Sequence, residues 1–136
     1  MSTLANLDHC VAVEHPELVT TTLAQHALGA ARQALAVALN RFDSGRLVVH
    51  ITEMPIKCPV APLEFTFLAD AFFTEQGLRD QVEISYVTPL EGAFTKPVSS
   101  KYLGSMLEER KIALEPDFMV ESIDAEAKKL VSFDER

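Results

Sequence analysis

The sequence has no tryptophan, two cysteines, five glycines and four histidines. Each shortage excludes something. Cys10 and Cys58 are too few to build a disulfide scaffold. None of the glycines falls in a G-x-G-x-x-G run, so the usual dinucleotide pyrophosphate cradle is missing. Basic residues number 12 against 20 acidic ones, for a net charge of -8. No cluster of Lys and Arg exists to release counterions from a phosphate backbone, which excludes nucleic acid as a partner. Long apolar runs are also absent. The best stretch, Leu18 to Leu39, is broken by Thr20, Thr21, Thr22, Gln25, His26, Arg32 and Gln33, too polar for a membrane span. His9, Cys10, His15 and His26 supply no second pair at zinc spacing, and no metal site is expected.

What is present is ample core material. At 136 residues and 48% hydrophobic content, the chain is expected to fold as a single domain, 1–136. Residues from Met1 to Pro16 show no sustained period. They lack the basic and apolar regions of a signal peptide, so a cytoplasmic setting is expected, with membrane-surface association left open. Apolar residues then recur at helical spacing through Leu23, Ala27, Ala30, Ala34, Leu35, Ala38 and Leu39. Leu47 to Thr52 reads as a buried strand, Pro62 to Gln76 as a helix ended by Gly77, and Val82 to Val87 as a second strand. A further helix starts near Pro97, with Leu103, Met106, Leu107 and Ile112 as its buried stripe. Phe118 to Ile123 and Lys129 to Phe133 read as an antiparallel pair. This alternation predicts an α/β fold: a Rossmann-like parallel sheet with flanking helices and a small antiparallel C-terminal β unit.

The most distinctive segment is Met54-Pro55-Ile56-Lys57-Cys58-Pro59-Val60-Ala61-Pro62, between the first strand and the helix after it. A thiol here lies at a helix N-terminus, whose partial positive charge stabilises a thiolate, and Lys57 acts in the same direction. The competing reading of Cys58 is a small buried hydrophobe. Lys96 falls after the second strand, on the same sheet edge if the strands are parallel. It is either a supporting positive charge or an ordinary solvated lysine. His50 is expected to pack or hydrogen-bond within the sheet, Glu64 and Asp70 are assigned no chemistry, and Glu108-Glu109-Arg110-Lys111 reads as a solvated helix end. Pro55, Pro59 and Pro62 remove N–H donors where a nicotinamide dinucleotide would sit, so poor NAD binding is expected.

From about Leu23 onward the chain resembles the sulfide:quinone oxidoreductases and their flavocytochrome-c-like relatives, FAD-dependent members of the pyridine nucleotide-disulfide oxidoreductase family. Met54 to Phe65 carries the resemblance, with Leu68-Ala69-Asp70, Val82 to Pro89, Phe94-Thr95-Lys96-Pro97 and Leu107 to Ile112 following in order. It implies that the chain is an internal piece: the second, NAD-type domain of a flavoenzyme, incomplete and inactive alone. Cys58 would then be the redox thiol that attacks sulfide sulfur, with Lys57 and Lys96 as supporting charges. FAD would belong to the full-length enzyme and not to this chain. Sulfide and quinone would be its substrates, and the parent enzyme would be a peripheral membrane protein. Residues 1–22 and Cys10 match nothing in the pattern. Two rival readings are a non-enzymatic interaction domain, homodimeric through surface left bare by missing neighbours, and a sulfur carrier using Cys58 as a persulfide site.

Overall fold

The computed structural model describes residues 35–51, 54–56, 58–124, 126–127 and 129–133. Lys57, Cys10 and most of the helix expected before Leu39 lie outside them. Helix α1 is described over 35–41 and leads through Phe42 into β1, Gly45–His50. Then come α2 (Ala61–Glu75), a 3₁₀ turn (Arg79–Gln81), β2 (Val82–Val87), α3 (Pro97–Glu109) and β3 (Ile112–Glu115). A hairpin of β4 (Val120–Asp124) and β5 (Lys129–Ser132) follows. Among the described residues no helix is long and apolar enough to cross a membrane.

β1, β2 and β3 form a parallel sheet in that spatial order. β2 is central, and five of its six residues are buried, as a strand covered on both faces requires. Its period of two sorts the core. Val82, Ile84 and Tyr86, with Leu47 and Val49 of β1, face a cluster that includes Leu63, Ala69, Phe73 and Leu107 from α2 and α3. Val87 and Val48 point to the other face, where Phe118, Val120 and Leu130 of the hairpin segment pack on them. The fold is thus α/β, with a two-stranded antiparallel unit laid on one side of the sheet.

One sequence expectation fails here. Ile112 does not close the helical stripe of Leu103, Met106 and Leu107; it begins β3, the third parallel strand. The chain reverses within two residues, because Lys111 takes a left-handed φ of 55° without being glycine. Nothing in composition marks that break, although Ile112, five residues from Leu107, does not keep the three-and-four spacing of the stripe. α2, in contrast, stops where its glycine predicts. Gly77 has φ +70°, and the Leu78 and Gly77 N–H groups donate to Phe73 (2.9 Å) and Thr74 (3.0 Å) carbonyls, a Schellman closure.

The charge run after α3 is also not simply solvated. Arg110 donates to Asp70 Oδ2 at 2.9 Å and lies 5.7 Å from the Phe67 ring centroid. Asp70, buried on α2, also accepts from Arg79 Nε at 2.6 Å. The rest of the Arg79 guanidinium donates to the carbonyls of Val82, Arg110 and Lys111. One carboxylate therefore ties α2 to the start of β2 and to the turn that launches β3.

Candidate functional site

Parallel strands place all their carboxyl ends on one edge, and α/β proteins keep ligands there. In this chain that edge is formed by His50 ending β1 and Ile51 after it, Thr88 after β2, and Glu115 ending β3. Two β-to-α loops rise from it. The first carries Cys58 into α2, and the second carries Phe94, Thr95 and Lys96 into α3.

Cys58 is exposed, which removes the reading of it as a buried hydrophobe. Its loop contains a cis Met54–Pro55 peptide bond, and Ile56 anchors it by packing against the main core. Met54 and Val60, on either side of the thiol, are exposed apolar residues. The Cys58 carbonyl accepts the Ala61 N–H at 3.2 Å, and the Val60 carbonyl accepts the Glu64 N–H at 3.0 Å. Pro62 has no N–H to give. The first turn of α2 is therefore a poor cradle for a pyrophosphate, even though it stands where a dinucleotide fold would put one. With no G-x-G-x-x-G in the sequence either, these residues do not fit a bound FAD.

Lys96 is the exposed N-cap of α3. Its carbonyl accepts the Ser100 N–H at 2.7 Å, and the Ser100 hydroxyl accepts the Phe94 N–H at 3.3 Å. A Cβ on Gly92 would come within 2.5 Å of that hydroxyl, so the loop is closed tightly on the first turn of α3. The fold brings Cys58 and Lys96 to one sheet edge on neighbouring loops; among the described residues no hydrogen bond or ion pair joins them.

Two groups near this edge went unremarked as site candidates in the sequence. The Tyr86 ring is fully buried and its hydroxyl lacks a hydrogen-bond partner. Burial pushes the phenol up from its ordinary value of 10.0, offset in part by the nearby Thr88 hydroxyl, whose geometry stops short of a hydrogen bond. Thr88, also buried, instead accepts the Leu90 N–H at 3.2 Å. His50 Nδ1 is likewise buried and without a partner, and burial holds the imidazole below its ordinary 6.5. Position alone would signal them: His50 ends β1 and Tyr86 is the last residue but one of β2, both at the ligand edge. Among the described residues no cluster of His, Cys, Asp or Glu is arranged to hold a metal ion.

Solved structures share this architecture. The sulfide:quinone oxidoreductase from the hyperthermophilic bacterium Aquifex aeolicus is similar over 74% of this chain and 24% of its own, with TM-score 0.56 and 18% identity. The likeness is one of fold. A chain of the Tetrahymena thermophila mitochondrial ATP synthase composite tetramer is similar over 95% of this chain and 32% of its own, with TM-score 0.57 and 20% identity. This chain therefore spans about a quarter to a third of the length of either protein. No protein-family model and no curated protein sequence matches it.

Proposed function

We propose that this chain is the cysteine-bearing domain of a larger flavin-dependent enzyme of the sulfide:quinone oxidoreductase type, and that Cys58 is its reactive thiol. The observation that carries the reading is an exposed Cys58 on the β1–α2 loop, at the ligand edge of a parallel sheet. The fold likeness to a sulfide:quinone oxidoreductase supports it. FAD is assigned to the parent enzyme, because the first turn of α2 offers no pyrophosphate cradle. Sulfide and quinone are the substrates of that parent, in keeping with the name of the similar enzyme.

The chemistry open to Cys58 is thiol–disulfide exchange. Its thiolate attacks one sulfur of a disulfide or persulfide, the old S–S bond breaks, and the leaving sulfur departs with the bonding electron pair. Met54 and Val60, exposed on either side of the thiol, offer an apolar surface for a neighbouring domain.

The second reading is a non-catalytic assembly module, favoured by the similarity that covers 95% of this chain within an ATP synthase assembly. One experiment separates the two. The purified chain is treated with a low-molecular-weight persulfide and examined by intact mass. Fast gain of one sulfur atom, abolished in Cys58→Ser and retained in Cys10→Ser, is expected. Reaction no faster than that of free cysteine would refute the thiol role and leave the assembly reading. A parallel incubation with FAD, followed by desalting, is expected to leave the protein colourless.

A further inference from the structure

Tyr86 carries a hydroxyl into the interior where no group among the described residues bonds it. Buried polar groups in folded proteins are almost always bonded, to the protein or to something held beside them. The ties between α2 and β2 show where this hydroxyl lies. Asp70 on α2 is linked through Arg79 to the Val82 carbonyl at the start of β2, which sets the helix against the strand. From Asp70 back to Leu63 the helix rises about 10 Å, and from Val82 to Tyr86 the strand advances about 13 Å. Leu63, in the first turn of α2, and Tyr86 therefore stand at nearly the same level, and both are buried in one cluster. The Thr88 hydroxyl lies beside the phenol, so the phenol leans toward the carboxyl edge, onto which the α2 N-terminus opens.

That first turn has one N–H to offer. Ala61 and Glu64 donate to the Cys58 and Val60 carbonyls, and Pro62 has no N–H. Among the described residues the Leu63 N–H has no acceptor, and Leu63 is 2% exposed. Thr88, also buried, accepts the Leu90 N–H and keeps its own proton to give. Three donors thus gather at the positive pole of α2: the Tyr86 and Thr88 hydroxyls and the Leu63 N–H. No carboxylate opposes them, because Glu64 is exposed and the buried Asp70 sits two turns further along the helix. The nearby carbonyls are engaged, those of Cys58 and Val60 as above and that of Pro62 by the Thr66 hydroxyl at 2.7 Å. A water at this spot would have to place two protons of its own, whereas an anion only accepts.

We propose that Tyr86, Thr88 and the Leu63 N–H form a site for one small monovalent anion of halide size, held between the end of β2 and the first turn of α2. The surrounding Ile51 and Ala93 are at most 2% exposed, so the site is closed and apolar-walled. Such surroundings favour a weakly hydrated single-atom anion such as chloride or bromide. Fluoride is more strongly hydrated and loses more on entry, and a branched oxyanion needs further donors that this turn lacks. The turn that is too poor in N–H groups for a pyrophosphate is thus matched to a ligand of one atom. Bound there, the anion ties α2 to β2 beneath the Cys58 loop. This inference is independent of the role given to Cys58.

Tyrosine emission tests it, because the chain has two tyrosines and no tryptophan. In Tyr102→Phe, a change at a residue 69% exposed, Tyr86 is the remaining fluorophore. Bromide, a heavy-atom quencher, is exchanged for fluoride at constant ionic strength. Quenching that saturates as bromide rises is expected. Quenching that stays linear in bromide, as for free tyrosine, or no quenching at all, would overturn the proposal. Urea midpoints of the wild type and Tyr86→Phe, which keeps the ring and loses only the hydroxyl, give a second reading. As bromide replaces fluoride, the wild-type midpoint is expected to gain on that of the variant, since a ligand of the folded state stabilises it. A difference between the two midpoints that is the same in both salts would sink the anion and assign the hydroxyl to a buried water.

Discussion

His50 shows how one side chain makes stability depend on pH. Burial holds its folded value below the ordinary 6.5, and Nδ1 has no partner to welcome a proton. The unfolded chain therefore binds the proton more readily than the folded one. Stability from this site is complete above about pH 6.5 and declines as the pH falls through that value toward the folded one. Urea titrations at about pH 7.5 and about pH 5.5 are expected to show a fall in midpoint for the wild type, smaller in His50→Gln. Equal falls in the two proteins would assign the loss to carboxylates instead. Tyr86 shifts the other way for the same reason: burial favours the neutral form, which raises a phenol, so its influence is confined to alkaline pH.

At the scale of elements, α2 is defined at both ends by residues of special backbone character. Pro62 in its first turn fits a position where the N–H would lack a helical partner in any case. Gly77 ends it with φ +70°, and its Schellman bonds fold Leu78 back against the core. Gly77→Ala meets no steric obstacle, so its cost is the left-handed backbone alone. A loss of about 1 kcal/mol is expected by urea denaturation. No measurable change would mean that the helix end relaxes when glycine is removed. α3 differs in having no such terminator: Arg110 and Lys111 make the turn, and the left-handed residue is a lysine at φ 55°. The turn is held from outside, by Arg79 bonded to the Arg110 and Lys111 carbonyls.

That dependence makes Asp70 a matter for the whole molecule. Its carboxylate is 7% exposed and holds both Arg79, 19% exposed, and Arg110, 48% exposed. Removing it strands the better-buried guanidinium among carbonyls. Asp70→Ala is expected to destabilise the domain by about 3 kcal/mol, whereas Arg110→Ala, at a half-exposed contact, costs only about 1 kcal/mol. Comparable urea midpoints for Asp70→Ala and the wild type would show that the network adds nothing to stability. Sulfur exchange by Cys58 serves as a companion measurement. Asp70 is tied through Arg79 to the amino end of β2 and Cys58 stands at the carboxyl edge, so a folded Asp70→Ala chain should react at the wild-type rate.

The sequence by itself determined the elements whose signals are local. The helix from Pro62 to Gly77 and the buried run Val82–Val87 were legible because apolar spacing, proline and glycine each act over a few residues. So was the Cys58 loop, fenced by prolines. The tertiary structure alone decided the rest. β3 was hidden because a lysine takes the left-handed turn before Ile112, held there by Arg79, which lies far off in sequence. Asp70 looked inert because its partners come from the 3₁₀ turn and from the end of α3. The exposure of Cys58 and the orphaned Tyr86 hydroxyl are likewise facts about what is not packed against a residue. Local patterning fixes the period of a segment, but only the assembled chain fixes which surface remains uncovered.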